Sequence, residues 1–191
     1  KERKNMAINL KAEEQEGTEQ YAIKKFVDLI RPEIENLGYK ITTQAVLPYT
    51  NFCDKINEAG KGLDYAKGQK AYATDALIYE PLANGDRIPL VVLEGKIKTQ
   101  TTHDIITYTE KAKAHKNVFP HLRYGFIVLN ARGEDFPDFY YQHAGFDFEE
   151  VFPSNEAPEQ AQIRTNEFVA ELTRQIKKAK EKHQRFFKSE A

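Results

Sequence analysis

Two charges end the most apolar run of this chain. Leu90-Val91-Val92-Leu93 is branched and hydrophobic, which predicts a buried strand, and it stops at Glu94-Gly95-Lys96. Residues i and i+2 of a strand share a face, so the Glu94 carboxylate and the Lys96 ammonium point the same way. A second carboxylate, Asp75, interrupts another apolar run at 71–79. Asp is disfavoured in a strand interior, and a lone buried carboxylate is costly. The connection between the runs is short and contains Asn84-Gly85, a strong turn signal, so the pair reads as an antiparallel hairpin. Asp75 and Glu94 can then approach each other across it. Two carboxylates in that position repel unless a cation lies between them. Two hard oxygen ligands, completed by water and a substrate phosphate, are how Mg2+ is commonly held. A lysine beside such an ion would orient or help deprotonate a water, or stabilise charge building on a phosphate.

The elements that must position these groups follow from periodicity. Residues 18–38 predict a helix, because Ile23, Phe26, Val27, Ile30, Ile34 and Leu37 fall on one face, with a kink or restart near Pro32 and a stop at Gly38. A strand is expected over 39–49, then a polar loop over 50–70 with a short helical piece around 54–59. The two hairpin strands, 71–79 and 88–96, come next. Residues 102–117 predict a helix that Thr102 would cap, with Ile105, Ile106, Thr109, Ala112 and Lys113 marking its period. Strands are expected at 124–131 and, on an edge because of Pro137, at 136–143. Residues 153–159 read as a turn, and 160–187 as a long helix with Ile163, Phe168, Val169, Leu172, Ile176 and Ala179 on one side. The fold class is α/β, a mixed central sheet flanked by helices, with a C-terminal helix.

Asp75 followed by Glu94-Gly95-Lys96 resembles the signature of the PD-(D/E)XK nuclease superfamily, and the element order over about 18–131 is similar to its restriction-endonuclease-like core. The residue before the aspartate is Thr74 rather than proline, a departure from the motif. The resemblance implies that Asp75, Glu94 and the Gly95 carbonyl hold Mg2+, and that Lys96 serves the attacking water. Many members add an acid from the first helix. Glu19, four residues before Ile23, extends that helix's apolar face and would be the added catalytic acid, with Glu16 a turn earlier. Both are also first-turn acids of the kind a helix dipole favours.

Candidate nucleic-acid contacts surround this motif. Lys98 repeats the alternation of Glu94 and Lys96, and Gln100 does so if the strand continues. Lys61 lies in the glycine-containing loop, and Lys113 on the second predicted helix, near Tyr108, Lys111, His115 and Lys116. Such groups would meet a phosphate backbone. A helix-capping loop explains Lys98 and Gln100 equally simply, and a solvated face is the more common explanation of the helix charges. The last helix is basic towards its end, which suits either DNA or the helix C-terminus itself.

Bulk composition bounds the rest. The 191 residues suffice for one domain with its own core, here a core over 18–131 and an extension over 153–191. A net charge of −1 confines any nucleic-acid surface to a local patch. A single cysteine, Cys53, excludes an intrachain disulfide and a multi-cysteine metal site, and it suits a cytoplasmic protein. No apolar stretch approaches the roughly 20 residues of a membrane span. Neither Gly60-Lys61-Gly62 nor Gly95-Lys96 makes a phosphate loop, and the five histidines lack zinc spacing. The expectation is a Mg2+-dependent endonuclease acting on double-stranded DNA, in the manner of a type II restriction enzyme. Cutting both strands would favour a homodimer. The alternative is a catalytically inactive nuclease-fold protein that binds nucleic acid or another partner.

Overall fold

The computed structural model of the chain describes residues 18–50, 55–56, 70–132 and 145–187. Helix α1 (Glu19–Asn36) begins at Thr18, whose hydroxyl accepts from the Tyr21 N–H at 3.3 Å. It ends before Gly38, which takes the left-handed φ of +86° that glycine adopts without a Cβ penalty. The helix runs on through Pro32 without a restart; Pro32 is exposed, while Ile30 and Ile34 on either side are buried.

The expected strand over 39–49 divides into β1 (Lys40–Thr43) and β2 (Val46–Pro48), and the one over 71–79 into β3 (Ala71–Ala73) and β4 (Ala76–Pro81). The physical reason is a shared bend. Gln44 has φ +55°, its N–H donates to the Asp75 carbonyl at 3.3 Å, and the Thr74 N–H donates to the Ala45 carbonyl at 2.8 Å. Both strands therefore turn out of one sheet into another at the same level. β2 and β3 form a separate two-stranded sheet.

The main sheet has the order β1-β4-β5-β6-β7, with β5 Arg87–Ile97, β6 Arg123–Ala131 and β7 Phe148–Pro153. β1, β4 and β5 pair antiparallel, whereas β5, β6 and β7 pair parallel, so the sheet is mixed. The β5–β6 connection runs through α2 (Thr102–Val118), a βαβ crossover. β7 had no counterpart in the sequence reading: its burial is intermediate at all but one position, so it lacks a clean alternation. The strand expected over 136–143, most of the helical piece over 54–59, Cys53, Glu16 and Lys61 lie outside the described residues.

The sheet separates two apolar layers. On one side Val91, Leu93, Ile127 and Leu129 pack with Ile23, Phe26 and Ile30 of α1 and with Phe168, Leu172 and Ile176 of α3 (Pro158–Phe187). On the other, Leu77, Val92 and Tyr124 meet Ala112 and Val118 of α2. The last helix is thus part of the main core. Ile163 and Ile106, both placed on buried faces from their spacing, are 48% and 55% exposed, because each lies beside the true contact stripe of its helix rather than on it. Among the described residues no helix is long and apolar enough to cross a membrane.

Candidate active site

The bend that splits the predicted strands is what presents Asp75. It sits at the junction of β3 and β4, not inside a strand, and is only partly buried. The β4–β5 register pairs Ala76 with Leu93, so one step further Asp75 lies opposite Glu94. Its Oδ2 accepts the Gly95 backbone N–H at 2.9 Å. That bond takes up a ladder donor that Asp75, outside the strand, would leave unmatched.

Glu94 is 1% exposed, on the α2 side of the sheet. Its Oε1 accepts from the Lys111 ammonium at 2.7 Å and from the Tyr124 hydroxyl at 2.9 Å. Its Oε2 is buried and has no hydrogen-bond donor among the described residues. Burial pushes this carboxyl up to about 8, with Lys111 and Tyr124 opposing the rise and the neighbouring Asp75 carboxylate adding to it. Behind Tyr124 stands His115, also buried, whose Nε2 donates to the Leu47 carbonyl at 3.2 Å. That bond fixes the tautomer and leaves Nδ1 as an acceptor 3.4 Å from the Tyr124 hydroxyl.

Lys96 turns to a different set. Its ammonium reaches Glu19 at 3.2 Å and Asp104 at 3.5 Å, and lies 5.5 Å from the centre of the Tyr108 ring. Burial works against its charge, but Tyr108, Glu19 and Asp104 together hold it above the ordinary lysine value. An ammonium held this firmly donates hydrogen bonds and stabilises negative charge. Such a group suits orientation of a water and stabilisation of charge on a phosphate.

Glu19 therefore joins the site from the first turn of α1, where a helix N-terminus also favours its charge. Gly95 faces the other layer. A Cβ there would sit 3.0 Å from the Ile23 side chain, which explains why the residue between the two charges has none. β5 ends at Ile97, and Lys98 takes φ +69° while bonding to the β6 end through its backbone, so the alternation that put Lys98 and Gln100 beside Glu94 stops there. Gln100 is half-buried, and its Oε1 has no donor among the described residues. Lys113 pairs with Glu110 at 2.7 Å on the exposed face of α2.

Four contributors were missed by the sequence reading in these roles: Asp104, Lys111, His115 and Tyr124. The signal was present. Asp104, Tyr108, Lys111 and His115 follow at steps of four, three and four, one stripe of α2. It went unseen because charge on a helix reads as solvated by default. The helix itself is capped by Thr101, not Thr102, since Thr101 and Asp104 form a reciprocal capping box. Asp104 thus both caps α2 and holds Lys96.

Among the described residues no three His, Cys, Asp or Glu side chains cluster as a ready-made metal cage. Mg2+ needs fewer protein ligands, commonly one or two carboxylates with waters and phosphate. The donor set fits it on a structural observation: the buried Glu94 Oε2 has no donor among the described residues and lies on the strand next to Asp75. Searches against protein-family models and curated protein sequences find no match to the chain.

Proposed function

We propose that the protein is a Mg2+-dependent endonuclease that hydrolyses DNA phosphodiester bonds, built on a restriction-endonuclease-like core. One observation carries this reading: Asp75 and the buried, half-satisfied Glu94 face each other across β4 and β5, with Lys96 two residues on. Asp75, Glu94 and the Gly95 carbonyl would hold the metal, which supplies Lewis-acid stabilisation of phosphate charge and a more acidic water. Lys96, fixed by Glu19 and Asp104, orients the attacking water or neutralises charge on the phosphate. Tyr124 holds Glu94 from behind through its one hydroxyl proton, and His115 packs beside it.

A second reading has its own support. The Lys111 ammonium on Glu94 makes a buried ion pair that needs no metal, as in a nuclease-fold protein that binds nucleic acid without cutting. One assay separates the two: plasmid and phage DNA incubated with magnesium or with a chelator, using the wild type and Lys96→Ala. Discrete fragments that need magnesium and vanish in the variant support a site-specific endonuclease. A smear lost in the variant supports a nuclease without strong sequence choice. DNA shifted in a gel but never cut refutes the hydrolytic reading and favours the binding one.

A further inference from the structure

Lys111 is the group the nuclease reading leaves unexplained. It lies three turns into the βαβ crossover helix, its side chain is 15% exposed, and its ammonium is 2.7 Å from Glu94 Oε1. It therefore sits on one of the two carboxylates assigned to the metal. A monovalent ammonium and a hydrated divalent cation cannot both be the principal counter-ion of one buried oxygen pair. The other lysine of the site avoids this conflict, because Lys96 is held by Glu19 and Asp104. Both ammonium groups flank the same ring, 5.5 and 5.7 Å from the centre of Tyr108.

Resting on the nuclease reading, we infer that Lys111 is an exchangeable counter-ion of Glu94: it occupies the carboxylate in the metal-free protein, is displaced when a divalent cation binds, and then contacts the substrate phosphate beside Lys96. Electrostatics favour this order of events. In the metal-free protein the ammonium is the charged partner of a buried carboxyl whose other donor among the described residues is the Tyr124 hydroxyl. With the metal in place, the ammonium is repelled from Glu94, and its long stem lets it swing about the Tyr108 ring without moving the helix. The free-to-bound change is then confined to one side chain. It delivers a second positive charge to the phosphate only when the metal is present.

The test uses the whole wild-type chain. Mn2+ binding is measured by loss of the free-ion electron paramagnetic resonance signal, with Glu94→Gln alongside. Lysines are then acetylated with and without Mn2+, and again with Mn2+ and a short DNA duplex, and the sites quantified by mass spectrometry. Lys24, exposed on α1 and outside the candidate nucleic-acid contacts, is the internal reference. The expected result is Mn2+ binding that Glu94→Gln abolishes, a several-fold rise in Lys111 labelling relative to Lys24 on adding Mn2+, and renewed protection by the duplex. Glu94-dependent Mn2+ binding with Lys111 labelling unchanged overturns the exchange and leaves the metal reading standing. Exchange without protection by DNA overturns the phosphate contact. Absence of Mn2+ binding, or binding indifferent to Glu94→Gln, overturns both the exchange and the metal reading beneath it.

Discussion

Replacing Lys111 by Met should destabilise the metal-free protein by an amount that depends on pH in a defined way. Met keeps most of the apolar stem and removes the charge. What remains among the described residues is Glu94, 1% exposed, with one hydrogen bond from Tyr124 and an oxygen without a donor. Breaking a buried ion pair by removing one partner costs about 3–5 kcal/mol if the other charge stays. Glu94 has an escape, because burial already pushes its carboxyl up to about 8, and losing Lys111 moves it higher. Near neutrality the folded variant therefore carries a neutral Glu94, and the loss reduces to about 1–2 kcal/mol for the missing interaction. Above about 8 the wild type ionises within its pair while the variant still has to take up a proton. The gap then widens by about 1.4 kcal/mol per pH unit until it reaches the unpaired-charge limit. Urea denaturation followed by circular dichroism suits a chain that has no tryptophan. Glu94→Gln with Lys111→Met should remove the pH dependence of the gap. A penalty for Lys111→Met that stays flat between about pH 7 and pH 10 would refute the reasoning, since Glu94 would then not be the group that responds.

Further outcomes follow from the same geometry. Tyr124→Phe removes a donor to the buried carboxylate and should cost about 1.5–3 kcal/mol above about pH 8, where Glu94 is ionised, measured by the same denaturation. Gly125→Ala should destabilise by about 1–3 kcal/mol, because its Cβ would collide with the Phe148 ring across the β6–β7 pair; a melting temperature within a degree of wild type would contradict this packing. Burial, aided by Lys111, lowers His115 to about 4, so it stays neutral in the fold while the unfolded chain protonates near 6.5. Its contribution is complete above about 6.5 and is lost as pH falls towards about 4. A histidine NMR titration that finds His115 charged at pH 6 would contradict it. Thr101→Ala breaks the capping box and should cost about 1 kcal/mol, seen as a lower urea midpoint.

The sequence by itself determined the chemistry on offer and most of the elements. Alternation put Glu94 and Lys96 on one face of a strand, and a tight turn returned that strand to Asp75, because both features are local and need no distant partner. The apolar stripe of α1 and the run of β5 were equally plain. Only the tertiary structure decided how the charges pair. The bend at Gln44 and Thr74 depends on hydrogen bonds between strands some thirty residues apart, and it moved Asp75 from a strand interior to its junction. Which lysine meets which acid depends on where α1 and α2 lie relative to the end of β5. That placement gave Lys96 to Glu19 and Asp104, and Glu94 to Lys111. A charged helix stripe reads the same whether it faces water or a buried carboxylate, since only the packing of the helix on the sheet distinguishes the two environments. For the same reason β7, whose side chains are mostly half-buried, left no periodic trace by which it could be found before the fold assembled.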